Sequence, residues 1–126
     1  MRDNSKFSWR KRGLSFKYAW QGMKALIKYE HNSRIHAFFA IAAIACCIIF
    51  NVSSVEWCII IICIGMVLAA EALNSAVEAI ADRLTGNYDE LIGRAKDFGA
   101  FAVTILAAAS VVVGLIIFLP KFLAFF

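Results

Sequence analysis

Hydrophobic residues along this chain fall into three long blocks, preceded by a stretch in which apolar and basic positions keep a helical rhythm. Phe16, Trp20, Met23 and Ile27 recur at steps of four, three and four, and Lys17, Gln21, Lys24 and Lys28 follow one residue later. That spacing predicts an amphipathic helix over residues 9–30, after a short polar leader. Basic side chains beside aromatic ones suit a helix lying in the membrane interface, with a surface helix packed on its own bundle as the other reading. The first block, IHAFFAIAAIACCIIF, predicts a spanning helix over 33–50. Asn51-Val52-Ser53-Ser54 is a turn signal. A second helix is expected over 55–84, with Ser54 as N-cap, Glu56 in the first turn and Trp57 as an interfacial anchor. Thr85-Gly86-Asn87 breaks it, and a third spanning helix is expected over 97–119, ended by Pro120 and Lys121.

With 62% hydrophobic residues in 126 and a mean hydropathy of +0.75, the chain is too apolar for a soluble domain. The expected class is all-α: one integral-membrane helical bundle over residues 1–126, with three transmembrane helices and an interfacial leader. Three helices enclose little interior, so a polar face within them calls for another subunit. The net charge of +4 does not point to nucleic acid here, because nine of the thirteen Lys and Arg residues lie at or before Arg34. None lies between the first two spans, and Arg83, Arg94 and Lys96 lie between the second and third. The positive-inside rule then puts the amino terminus and the 84–96 loop in the cytoplasm. Cys46, Cys47, Cys58 and Cys63 sit in apolar runs without metal-ligand spacing and read as small hydrophobic residues. No phosphate-binding glycine loop and no HExxH motif occurs.

Against this background the acidic residues stand out. Six of nine, Glu71, Glu78, Asp82, Asp89, Glu90 and Asp97, lie between Glu71 and Asp97, and Glu56 is just upstream. Ionisable groups at membrane depth are tolerated where a partner, a metal or water meets them. On a helix, Glu71, Asn74, Glu78 and Asp82 fall within an arc of roughly 80°, and Glu71 lies about 10 Å deeper than Glu78. Glu78 and Glu30, both expected at the cytoplasmic surface, can share a magnesium ion carrying nucleotide phosphates. Glu71 can accept the proton of a lipid hydroxyl. A proton-coupled transporter would also carry a membrane glutamate, and a structural assembly subunit could use Glu71 and Asn74 in interhelical hydrogen bonds. Spacing alone leaves all three open. Asp82 and Arg83 equally suit a helix end, Asp97 a helix start, His36 an interfacial or core position, and Gly93 and Gly99 a close backbone approach.

The run EALNSAVEAIADRLTGNYDELIGRAKDFGAFAV resembles the signature of the bacterial membrane diacylglycerol kinase and undecaprenol kinase family, E-x-x-N-[ST]-A-[IV]-E followed by D, Y and A-K-D. FKYAWQGMKALIKYEHNSRIH resembles that family's amino-terminal segment, so the likeness covers most of residues 13–105. The resemblance implies a homotrimeric kinase of the bacterial cytoplasmic membrane, with active sites shared between subunits, that uses Mg-ATP to phosphorylate a lipid alcohol. It implies Glu71 as general base, Asn74 beside the transferring phosphate, Glu30 and Glu78 as metal ligands, and Tyr18, Tyr88, Lys96 and Asp97 at the nucleotide. Lys11 falls at a basic position contacting nucleotide and lipid, which Arg10 or Arg12 could also fill. Two departures bear on substrate. Asp89 stands where the proteobacterial diacylglycerol kinases have histidine, and Glu30, Asn32 and His36 follow the pattern of undecaprenol kinases, whereas DRLTGNYDELIGRAKD leans toward the diacylglycerol enzymes. Undecaprenol is slightly favoured.

Overall fold

The computed structural model describes residues 6–126, which form four helices: α1 (Trp9–Tyr29), α2 (His31–Ile49), α3 (Ser54–Leu84) and α4 (Glu90–Phe125). There is no strand among the described residues. The part of the polar leader before Lys6 lies outside them.

Local chemistry marks most of the helix starts. Ser8 Oγ accepts from the Lys11 amide at 3.5 Å, and Asp89 Oδ1 accepts from that of Ile92 at 3.0 Å. At the start of α3 the N-cap is Ser53, not Ser54. Its hydroxyl accepts from the Glu56 amide at 3.2 Å while the Glu56 carboxylate accepts from the Ser53 amide at 3.1 Å. This reciprocal pair satisfies two donors that a helix start leaves open, which is why the register settles one residue earlier than expected. Asn51, at φ 49°, supplies the left-handed turn that reverses the chain before it. The corner between α1 and α2 is a single residue, Glu30. Arg34 closes it: its Nε donates to Ile27 O at 2.7 Å and its Nη2 to Lys28 O, capping carbonyls that the end of α1 leaves without partners.

The third apolar helix departs furthest from expectation. It starts at Glu90 rather than 97 and runs through Pro120 to Phe125. Proline at 120 removes one intrahelical donor, but the helix continues because the following residue is tied on two sides. Lys121 Nζ reaches Glu56 Oε2 at 2.7 Å and Ile117 O at 3.3 Å. Asp97 therefore lies two turns inside the helix, and the helix-start role falls to Asp89.

The helices α2, α3 and α4 are each long and apolar enough to cross a membrane. Contacts at both ends fix their directions. The His36–Glu71 contact and the Lys96–Asp82 ion pair join α2 and α4 to the C-terminal half of α3. At the opposite end a core of Cys47, Val52, Ile60 and Ile117 joins all three beside the Lys121–Glu56 pair. Both α2 and α4 thus run antiparallel to α3. The central element is α3, with Ile60, Val67, Ala70, Glu71 and Ala81 buried, against one buried residue on α4 and none on α1. Its 31 residues extend about 46 Å, beyond a hydrocarbon core of about 30 Å. A span that begins near Val55 accordingly reaches the far boundary a few residues past Glu71, and Glu78 and Asp82 emerge from it.

Candidate active site

The C-terminal half of α3 carries the polar face into one end of the bundle. Glu71 is 3% exposed, an unusual degree of burial for a carboxylate in a chain whose spans are mostly uncovered. Its Oε1 lies 3.0 Å from His36 Nε2 on α2, close enough for an ion pair though without an aligned N–H···O bond. His36 also lines an apolar groove of about 390 Å³ between α2, α3 and α4, together with Phe39, Ala43, Val67, Val111 and Gly114. One end of that groove therefore meets the carboxylate through the imidazole.

One turn further on, Asn74 faces α4 at Gly99. A Cβ at Gly99 would stand 3.3 Å from Asn74 Cγ and closer still to Oδ1, so the absence of a side chain there is what admits the carboxamide. The expected close backbone approach at Gly99 is thus present. At Gly93 an added Cβ would meet only Tyr88 Cε2, at an ordinary 3.9 Å. Three buried polar atoms at this end, Ser33 Oγ, Glu71 Oε1 and Asn74 Oδ1, make no hydrogen bond. Buried polar groups are nearly always satisfied, so these three are exceptions at the end of the bundle that carries the polar face.

Nearer the end of α3, Lys96 Nζ on α4 donates to Asp82 Oδ1 at 2.6 Å, and Glu78 is the next carboxylate close enough to act on that ammonium. Asp82, Lys96 and Glu78 thus form a charged set across α3 and α4. Glu30, at the α1–α2 corner, does not spend its carboxylate on capping α2. It lines a second groove, of about 700 Å³, opposite Leu68, Ala72, Ser75 and Ala76 of α3. Glu30 and Glu78 therefore lie at the same end of the bundle as Glu71. No group of three or more His, Cys, Asp or Glu that could enclose a metal occurs among the described residues. Glu30 and Glu78 are the carboxylates here that could offer hard oxygens to a magnesium ion, whose remaining ligands are typically phosphate and water.

The remaining predicted residues are more dispersed. Tyr88 is 89% exposed in the α3–α4 connection, Asp97 is exposed on α4, and Lys11 and Tyr18 lie two turns apart on α1. Residue-by-residue reading missed Ser33, which is fully buried. The signal was present: Glu30, the N-cap of α2, and Ser33 and His36 within it recur every three residues, the spacing of a helix face.

Comparison with known proteins identifies the family. Residues 17–118 match the family model described as prokaryotic diacylglycerol kinase, a stretch containing every site residue named above except Lys11. The chain is 38% identical over 107 residues to the undecaprenol kinase of Bacillus subtilis (strain 168), covering 85% of this chain and 87% of that protein. It is also 38% identical over 105 residues to the diacylglycerol kinase of Haemophilus influenzae (strain ATCC 51907 / DSM 11121 / KW20 / Rd), covering 82% and 89%. With the diacylglycerol kinase of Escherichia coli (strain K12) it shares 34% over 95 residues, covering 75% and 78%. The chain belongs to the prokaryotic diacylglycerol kinase family.

Proposed function

We propose that this lipid kinase transfers the γ-phosphate of Mg-ATP to the hydroxyl of a membrane alcohol, with undecaprenol slightly favoured over diacylglycerol. The observation that carries this reading is the buried Glu71, beside His36 at one end of an apolar groove and two to three turns from the carboxylates that emerge toward water. A lipid alcohol with its hydroxyl at Glu71 and a nucleotide at the charged end would meet across that distance.

In the reaction the hydroxyl oxygen bonds to the γ-phosphorus and its proton passes to Glu71. The bond from the γ-phosphorus to the bridging oxygen breaks, and ADP leaves with the electron pair. Phosphoryl transfer of this kind depends chiefly on positioning and on neutralising charge. Glu30 and Glu78 would hold magnesium, which neutralises phosphate charge when bound. Asn74 would orient the transferring group, while Lys96, freed from Asp82 or shared with it, would face the phosphates. Lys11, Tyr18, Tyr88 and Asp97 would complete the nucleotide site. Since Lys11, Tyr18 and Tyr88 stand apart from Glu71, a homotrimer with sites shared between subunits is part of the proposal. So is a cytoplasmic amino terminus in the bacterial inner membrane, with α1 in the interface.

Undecaprenol is favoured by the Glu30, Asn32, His36 pattern and by likeness to a protein named undecaprenol kinase. The test is incubation of purified protein with labelled ATP and magnesium, offering undecaprenol, diacylglycerol and ceramide in parallel. Label in the polyprenol at the highest rate is expected. Faster labelling of diacylglycerol reverses the substrate assignment, and label in none removes the kinase reading. A proton-coupled transporter, which no observation favours, would instead show solute flux that depends on a pH gradient and no lipid-dependent consumption of ATP.

A further inference from the structure

We infer that His36 is a positioning residue for Glu71: the imidazole Nε2 engages one carboxylate oxygen, Oε1, and leaves Oε2 to receive the substrate proton. The inference rests on the proposed function and adds a residue to it. Two features on the page carry it. The first is geometric. His36 Nε2 lies 3.0 Å from Glu71 Oε1, between side chains that are 24% and 5% exposed, so the contact is made largely away from water. An interaction there is stronger than the same contact at a surface, and a buried carboxylate oxygen with no other hydrogen bond needs a donor.

The second is placement. His36 stands on α2 and Glu71 on α3, so the contact spans two helices that otherwise meet through apolar side chains such as Ala40, Ala43 and Val67. Leucine or phenylalanine could not offer the carboxylate a donor; imidazole places a nitrogen 3.0 Å from it. A carboxylate on a helix can rotate about its χ angles. A donor fixed on a neighbouring helix selects the rotamer in which the second oxygen faces the substrate. Because the ring N–H is not in line with Oε1 in this structure, a modest rotation of the imidazole completes the bond, as is common for catalytic contacts that tighten on substrate binding. His36 also lines the apolar groove, so a lipid chain in that groove would press on the residue that aims the base.

The test compares wild type with His36→Ala and His36→Gln, measuring kcat and both KM values. Glutamine carries an N–H donor of similar reach and serves as the conservative variant. His36→Ala is expected to lower kcat about tenfold or more, the scale on which misplacement of a reacting group acts. Its KM for Mg-ATP should stay within about twofold, and His36→Gln should recover most of the loss. Unchanged kcat in His36→Ala, or equal losses in both variants, overturns the inference. In parallel, the 15N shifts of the His36 ring are compared between wild type and Glu71→Gln, with His31→Asn used for assignment. A shift change is expected, and identical spectra would show that the side chains do not interact. If the wild type labels no lipid at all, the kinase proposal fails, and the 15N comparison still decides the contact.

Discussion

Asn74 on α3 occupies the space that any side chain at Gly99 of α4 would need. The pairing joins a proposed catalytic residue to a close approach between the two helices, so helix packing and site geometry share one contact. Replacing Gly99 with alanine must either push the helices apart or expel the carboxamide. Over-packing of this sort costs about 1–3 kcal/mol. Gly99→Ala is therefore expected to lower kcat by displacing the Asn74 carboxamide, while Gly93→Ala, at an open site, leaves kcat unchanged and raises the thermal unfolding midpoint slightly, as alanine does in a helix; circular dichroism melts and lipid-phosphorylation assays on both variants check this.

The charged set on α3 and α4 should separate binding from folding. Both Lys96 and Asp82 are substantially exposed, and exposed ion pairs add little to stability. Lys96→Met is expected to leave the melting temperature nearly unchanged while raising the KM for ATP several-fold. A large loss of stability with unchanged KM would make the pair a structural clasp instead.

At Glu30 and Glu78 the expected phenotype is metal-dependent. Glu30→Gln and Glu78→Gln should each raise the magnesium concentration required for half-maximal activity, because each removes a hard oxygen donor. Titrating magnesium at fixed ATP measures it. Equal magnesium requirements in wild type and variants would remove both residues from the metal site.

At the other end of the bundle, Lys121 and Glu56 join the ends of α4 and α3 at 2.7 Å. Removing one partner leaves a half-buried charge unmatched, whereas replacing both with apolar residues removes the problem. Glu56→Leu alone should lower the melting temperature, and Glu56→Leu with Lys121→Leu should restore much of it. Activity per folded molecule should stay the same in both, since the pair is far from Glu71.

Much of this architecture was legible because membrane helices announce themselves by long apolar blocks, and the breaks at Asn51 and Thr85 are strong local signals. Helix ends were less legible. Ser53 and Ser54 are equivalent as single residues, and only the reciprocal bond to Glu56 selects the first. Pro120 looked like a terminator because its backbone chemistry is local, whereas the Glu56 carboxylate that secures the next residue lies 65 positions earlier. Glu71 could be placed on a polar face from spacing, but its encounter with His36 required knowing how α2 lies against α3. Spacing put His36 on the same face as Glu30 and Ser33 but could not say which side chain of α3 it would meet.

Transfer of label from [γ-32P]ATP to a lipid alcohol by wild type and by Glu71→Gln, in detergent micelles with magnesium, tests the role of the buried carboxylate most directly. Wild type is expected to produce a radioactive phospholipid, and Glu71→Gln to be slower by about 10²–10⁴-fold while still binding nucleotide. Equal rates in the two proteins would contradict the assignment of Glu71 as the base that takes the hydroxyl proton.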